Sequence, residues 1–263
     1  RDWWLGLLEA SGRINPATFD ADPSLRRLVD VVPYGLPEHP LPPAKAAIKG
    51  VWPGIEAGDR LALWGGGLWP WLDPLTAIRA VALLRERHPR LKLVFPGTRH
   101  PNPTMAGMPN QVEAAKVLAA ELGVMDTAVF FGDWVPYADW PHVLQECDVA
   151  LSLHFDTVET RLAFRSRVLE TIWAGLPTVA TRGDATSDLL AAYNLGLIVP
   201  EGDVEAVAAA LRSLLAEPPG TRAPAFAAAR QALTWERAAA PLVRFCQNPR
   251  RAPDREGEGA YYD

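Results

Sequence analysis

The residues best placed to do chemistry fall in one stretch, residues 160–170, TRLAFRSRVLE. After Thr160, three arginines, Arg161, Arg165 and Arg167, cluster where a loop is expected to enter a helix. The first turn of a helix favours anions through its unpaired N–H groups and its dipole, so each cation there costs about 0.3–1 kcal/mol. A bound anion removes that conflict, and a guanidinium fork matches the oxygens of a phosphate. The cluster therefore reads as a phosphate site; the alternative is a set of solvated arginines paired with Glu159 and Asp156. Glu170 offers a carboxylate that can accept from ribose hydroxyls, or else it is a surface residue. Gly65, Gly66 and Gly67, without Cβ atoms, let a backbone approach a ligand or adopt positive φ. They match neither the GxGxxG dinucleotide fingerprint nor a P-loop, which argues against NAD and against ATP hydrolysis. His154 and Asp156 follow an apolar run and read either as sugar ligands or as structural residues. Trp69 and Trp71 have faces suited to a sugar or to packing. Asp73, directly before Pro74, reads as a helix N-cap or a ligand-facing carboxylate.

These residues need a scaffold, and the hydrophobic pattern supplies one. Short apolar runs at 60–64, 91–95, 128–131, 149–153, 178–180 and 197–199 alternate with helical patterns at 72–87, 111–122, 137–146, 162–173, 189–193 and 204–215. Continuous apolar strands alternating with helices imply a parallel sheet covered on both faces. The expected fold class is α/β, a doubly wound, Rossmann-like parallel sheet. Such sheets bind ligands at the carboxyl ends of their strands, where residues 65–67, 97, 132–135, 153–155 and 181–184 fall. Further helical patterns at 225–233 and 235–246 precede a charged, aperiodic end.

Composition narrows the partners. The 263 residues are 49% hydrophobic and 22% charged, with a net charge of -5. This is a globular composition, and it lacks the basic surface that a nucleic-acid backbone requires. No apolar stretch reaches the roughly 20 residues of a membrane span, and no secretory signal is evident. Cys147 and Cys246 form no CxxC or zinc spacing and read as reduced thiols of a cytoplasmic protein. The sequence shows no metal cluster.

Several segments, in order, resemble the C-terminal domain of retaining GT-B glycosyltransferases of family 4 (group 1). They are VVPYGL at 31–36, HPRLKL at 88–93, VFFG at 129–132, CDVALS at 147–152, ETIWAGLPTVAT at 170–181 and GLIVPEGD at 196–203. The resemblance runs from about Val31 to Cys246 and implies a nucleoside diphosphate sugar as donor substrate, with no cofactor. By it, Glu170 is the second of two paired glutamates and holds the donor ribose. Trp134 and Val135 lie where the nucleobase rests, and residues 160–167 lie over the pyrophosphate and sugar. The sequence departs from the family in three places. Leu162 fills the slot of the first glutamate, Arg165 replaces a glycine, and residues 68–72 lack the usual Arg and Lys of the pyrophosphate clamp. Arg165 or Arg167 is expected to supply that charge from the opposite side. No residue is identified as catalytic.

The expected organisation is the end of a preceding domain plus a linker at 1–47, a nucleotide-sugar-binding domain with C-terminal helices at 48–248, and a mobile tail at 249–263. The expected activity is glycosyl transfer in glycan or polysaccharide synthesis, with a glycan or lipid-linked acceptor bound by the preceding domain. The alternatives are a nucleotide-sugar epimerase of the same fold and a binding module without catalysis.

Overall fold

The computed structural model describes residues 1–255. Its elements begin with helices α1 (Asp2–Ala10) and α2 (Pro16–Ala21), then β1 (Arg60–Trp64), α3 (Pro74–Leu84), β2 (Leu91–Phe95), α4 (Pro103–Ala106) and α5 (Val112–Glu121). There follow β3 (Val129–Phe131), α6 (Trp140–Glu146), β4 (Val149–Ser152), α7 (Val158–Leu162), α8 (Arg167–Ala174) and β5 (Thr178–Thr181). Then come α9 (Ala185–Ala192), β6 (Gly196–Val199), α10 (Val204–Ala216), α11 (Ala223–Ala232) and α12 (Trp235–Gln247).

The chain divides into two compact units, Arg1–Gly35 with the residues from Leu233 on, and Leu36–Ala232. In the first, α1 buries no residue and exposes Trp3, Trp4 and Leu7. Of the expected mobile tail, residues 256–263 lie outside the described residues. Within the described part, Asp254 forms an ion pair with Arg13. Among the described residues no helix is long and apolar enough to cross a membrane.

The second unit holds the sheet. Its six strands are all parallel, in the order β3-β2-β1-β4-β5-β6. β1 (RLALW) buries its last four residues and lies between β2 and β4, which explains its unbroken apolar run. Helix α3 starts where Asp73 accepts a hydrogen bond from the Thr76 N–H at 3.0 Å and Pro74 occupies the first turn. Its buried Ala77, Ile78, Val81 and Leu84 recur at helical spacing. The strand order reverses between β1 and β4. A crevice must open there, because the loops leaving these two adjacent strands turn to opposite faces of the sheet.

One expected element is corrected. The helix anticipated at 162–173 is two helices. Thr157 caps α7 by accepting from the Thr160 N–H, and Ala163 then turns extended (φ -80, ψ 152). The chain re-enters a helix only at Arg167. α8 buries Val168, Leu169, Ile172 and Trp173 and ends at Gly175, whose φ of 74° only glycine adopts readily. Leu162, on the far side of the break, is exposed.

Candidate functional site

The crevice between β1 and β4 is a cavity of about 640 Å³. Gly65, Gly66 and Gly67 line one side and Arg165 and Arg167 another. None of the three glycines has positive φ, so their expected left-handed freedom is not used. Close approach is: a Cβ on Gly67 would lie 2.7 Å from Trp69 Nε1. Gly65 and Gly66 face Trp140 and Arg167 at ordinary contact distance. Trp64 Nε1 donates to the Gly67 carbonyl at 3.3 Å and holds the loop from behind.

The two arginines enter from the segment after β4 and are held differently. Arg165 donates to both carboxylate oxygens of Glu159, at 2.9 and 2.7 Å. Its Nε lies 3.5 Å from the Asp184 carboxylate and, buried, has no hydrogen-bond partner. Arg167 donates to Glu170 at 2.9 and 3.0 Å, with its guanidinium carbon 5.4 Å from the Trp140 ring centre. Glu170 also accepts from Trp140 Nε1 at 2.6 Å. The pairing of Arg165 with Glu159 and of Arg161 with Asp156, at 3.7 Å, is the arrangement of the alternative reading of this cluster. It coexists with a cleft-lining position for Arg165 and Arg167 but not for Arg161, which is exposed outside the cleft.

Behind Arg165 lies a buried polar cluster. His154 is fully buried, both ring nitrogens lack a hydrogen-bond partner, and Nε2 lies 3.4 Å from Asp184. Asp184 caps α9 through the Ser187 N–H at 2.6 Å and accepts from the Thr186 hydroxyl at 2.8 Å. Burial alone raises the pKa of this carboxyl. The adjacent His154 ring, the Ser187 N–H and the Thr186 hydroxyl more than offset that and hold it below the usual carboxylate range. Thr160 is buried and donates to the Phe155 carbonyl at 2.5 Å, a structural bond.

Of the residues singled out in the sequence, the structure gathers Gly65, Gly66, Gly67, Trp134, Arg165 and Arg167 around one cleft. His154 and Thr160 lie buried outside its lining, and Glu170 supports Arg167. Val135 lines a neighbouring cavity of about 980 Å³, which shares Trp134 with the first. Trp134 is 40% exposed and meets His100 edge-on, with ring centres 4.6 Å apart. Sequence reading missed Asp184 and Trp140. Asp184 was legible only as a strand-end residue, and an aromatic in a helix carries no signal of its own.

A doubly wound α/β domain with a cationic, glycine-edged cleft at its switch point is a class of anion-binding domain. Residues 54–231 match the family described as Glycosyl transferases group 1, and the chain belongs to that family. Among solved structures it is similar in fold to WaaG, a glycosyltransferase involved in lipopolysaccharide biosynthesis, with 23% identity over 78% of this chain and 49% of that one and a TM-score of 0.53. It is similar to Anabaena Alr3699/HepE in complex with UDP and glucose (18% identity, 72% and 48% covered, TM-score 0.58). It also resembles the sucrose-phosphate synthase of Thermosynechococcus elongatus (19%, 73% and 46%, TM-score 0.52). The chain spans about half the length of each of these proteins. No curated protein matches it in sequence.

Proposed function

We propose that the cleft binds a nucleoside diphosphate sugar and that this chain is the donor-binding portion of a glycosyltransferase. The observation that carries the reading is the placement of Arg165 and Arg167 beside Gly65–Gly67, at the carboxyl ends of the two strands where the sheet reverses. In glycosyl transfer the bond from the anomeric carbon to the diphosphate oxygen breaks, and negative charge grows on the leaving diphosphate. Guanidinium groups fixed there bind that charge more tightly in the transition state than in the ground state. The 68–72 loop carries no cation, so both arginines act from the β4 side. Exposed Trp134, against His100, offers a stacking face for the nucleobase. Glu170 is held between Arg167 and Trp140, and its Oε1 keeps one acceptor site for a ribose hydroxyl.

The UDP and glucose bound to HepE support a nucleotide-sugar donor, and the role of WaaG in lipopolysaccharide synthesis supports a glycan or lipid-linked acceptor. The family resemblance supports retention at the anomeric carbon, with no resident cofactor proposed for the step. The test is calorimetric titration of the chain with UDP, GDP and dTDP, with Glu170→Ala alongside. Saturable binding of one nucleotide, weakened in the variant, supports the reading; no binding by a folded chain contradicts it.

A binding module without turnover is the second reading. Leu162 stands exposed in the slot of the first family glutamate, and the nearest carboxylate, Glu159, is taken up by Arg165. Release of free sugar or glycoside from a nucleoside diphosphate sugar would exclude that module.

A further inference from the structure

The loop that carries no cation, residues 68–72, brings two tryptophans to the cleft. Trp69 and Trp71 stack with ring centres 5.8 Å apart and planes 14° from parallel, and both line the cleft. Stacked indoles on a loose loop would be incidental, but this loop is fastened from several sides. The Gln111 side-chain amide donates to the Trp69 carbonyl at 3.0 Å, and the Gln111 N–H donates to the Leu68 carbonyl at 2.7 Å. The Asp73 N–H donates to the Leu153 carbonyl at 3.0 Å, and the Phe155 N–H donates to the Trp71 carbonyl at 3.3 Å. Trp69 lies against Gly67, where any Cβ would collide with the indole. The only charged residue from 65 to 73 is Asp73, which is buried and spent on capping α3.

The 68–73 loop therefore presents rigid aromatic faces and no free charge of its own, while Arg99 and Lys116, the other cations lining the cleft, come from the segment between β2 and β3. The phosphates have Arg165 and Arg167, and the nucleobase has Trp134 with His100. The part of the donor left over is the sugar. The C–H face of a pyranose carries partial positive charge and matches the negative face of an indole, whereas its hydroxyls point outward to polar partners. We propose that Trp71, buttressed by Trp69, is a stacking platform for the pyranose ring of the donor. This assignment rests on the donor-binding reading above.

The test compares each nucleoside diphosphate with its glucose conjugate: UDP with UDP-glucose, GDP with GDP-glucose, and dTDP with dTDP-glucose. Binding to the full chain is measured for wild type, Trp71→Ala and Trp71→Phe. For the base that wild type accepts, Trp71→Ala should weaken the sugar conjugate about threefold to tenfold, the range expected for loss of an aromatic contact. It should leave the bare nucleoside diphosphate unchanged, which also shows that the variant is folded. Trp71→Phe, which keeps an aromatic face, should recover most of the loss. Equal weakening of nucleotide and conjugate would put the base on Trp71 and overturn the proposal, as would no change in either. If wild type binds no nucleotide at all, the donor-binding reading fails and the platform falls with it.

Discussion

Arg165 and Arg167 are two residues apart, line the same cleft, and live in opposite surroundings. The Arg165 side chain is 13% exposed and lies between two carboxylates, one of them Asp184 at 1%. The Arg167 side chain is 47% exposed, lies over an indole and answers to one carboxylate. A buried ion pair is costly to break, because removing one partner strands the other charge in low dielectric. An exposed pair contributes little and is readily exchanged for another partner. Arg165 is thus part of the fold as well as the cleft, whereas Arg167 is a cleft residue almost without structural duty. Binding and stability should separate cleanly between them.

The largest effect is expected at Asp184. Asp184→Ala removes the cap of α9 and leaves His154 and Arg165 facing an uncharged gap, so unfolding free energy should fall by about 3–5 kcal/mol. A denaturant midpoint measures it. The same carboxyl sets a pH dependence. Its folded pKa is depressed, so its contribution is complete above the unfolded value of about 3.9 and is lost as pH falls through the folded value. Wild type should lose stability steeply below about pH 4, and Asp184→Asn should flatten that slope.

Next come the arginines. Arg165→Ala should cost stability, by about 2–3 kcal/mol, because it removes the cation beside buried Asp184, and nucleotide affinity, because it removes a cleft cation. Arg167→Ala should leave stability within about 0.5 kcal/mol of wild type and still weaken nucleotide binding about tenfold or more, the loss of a charge-assisted hydrogen bond. Equal stability losses in the two variants would erase the contrast. The smallest effect is expected at Glu159→Gln. It removes the anion that competes with phosphate for Arg165 and should tighten nucleotide binding by about twofold to fivefold, the worth of an exposed pair. Titration calorimetry reads both the loss and the gain.

How far the sequence foretells this site follows from the range of the forces involved. The six strands were legible because each is a short, mostly apolar run alternating with helical patterns, although β2 carries Lys92 and edge strand β6 leaves Ile198 exposed. The Asp73 cap was legible because capping is local. The arginine cluster was legible because three cations at one expected helix entry are out of place there. The break between α7 and α8 was hidden: residues 162–173 carry helical spacing throughout, yet Ala163 is extended. Arg165 within that break lies between Glu159 and Asp184, and Asp184 is far along the chain. Arg167 over Trp140, and Trp140 on Glu170, are likewise long-range contacts without a sequence signature. Long-range partners also decide which of the proposed residues face the cleft, so His154 and Thr160 lie beneath its surface while Arg161 points away from it.

The proposed diphosphate site on Arg165 and Arg167, in the β1–β4 cleft, stands or falls on donor affinity. The most direct measurement is calorimetric binding of the accepted nucleoside diphosphate to the double variant Arg165→Lys/Arg167→Ala, beside wild type at matched ionic strength. Lysine keeps a charge beside Asp184, so the fold should survive while the bidentate geometry is lost. The expected result is a loss of about a hundredfold or more in affinity with a cooperative unfolding transition retained. Undiminished affinity in a folded double variant would contradict it.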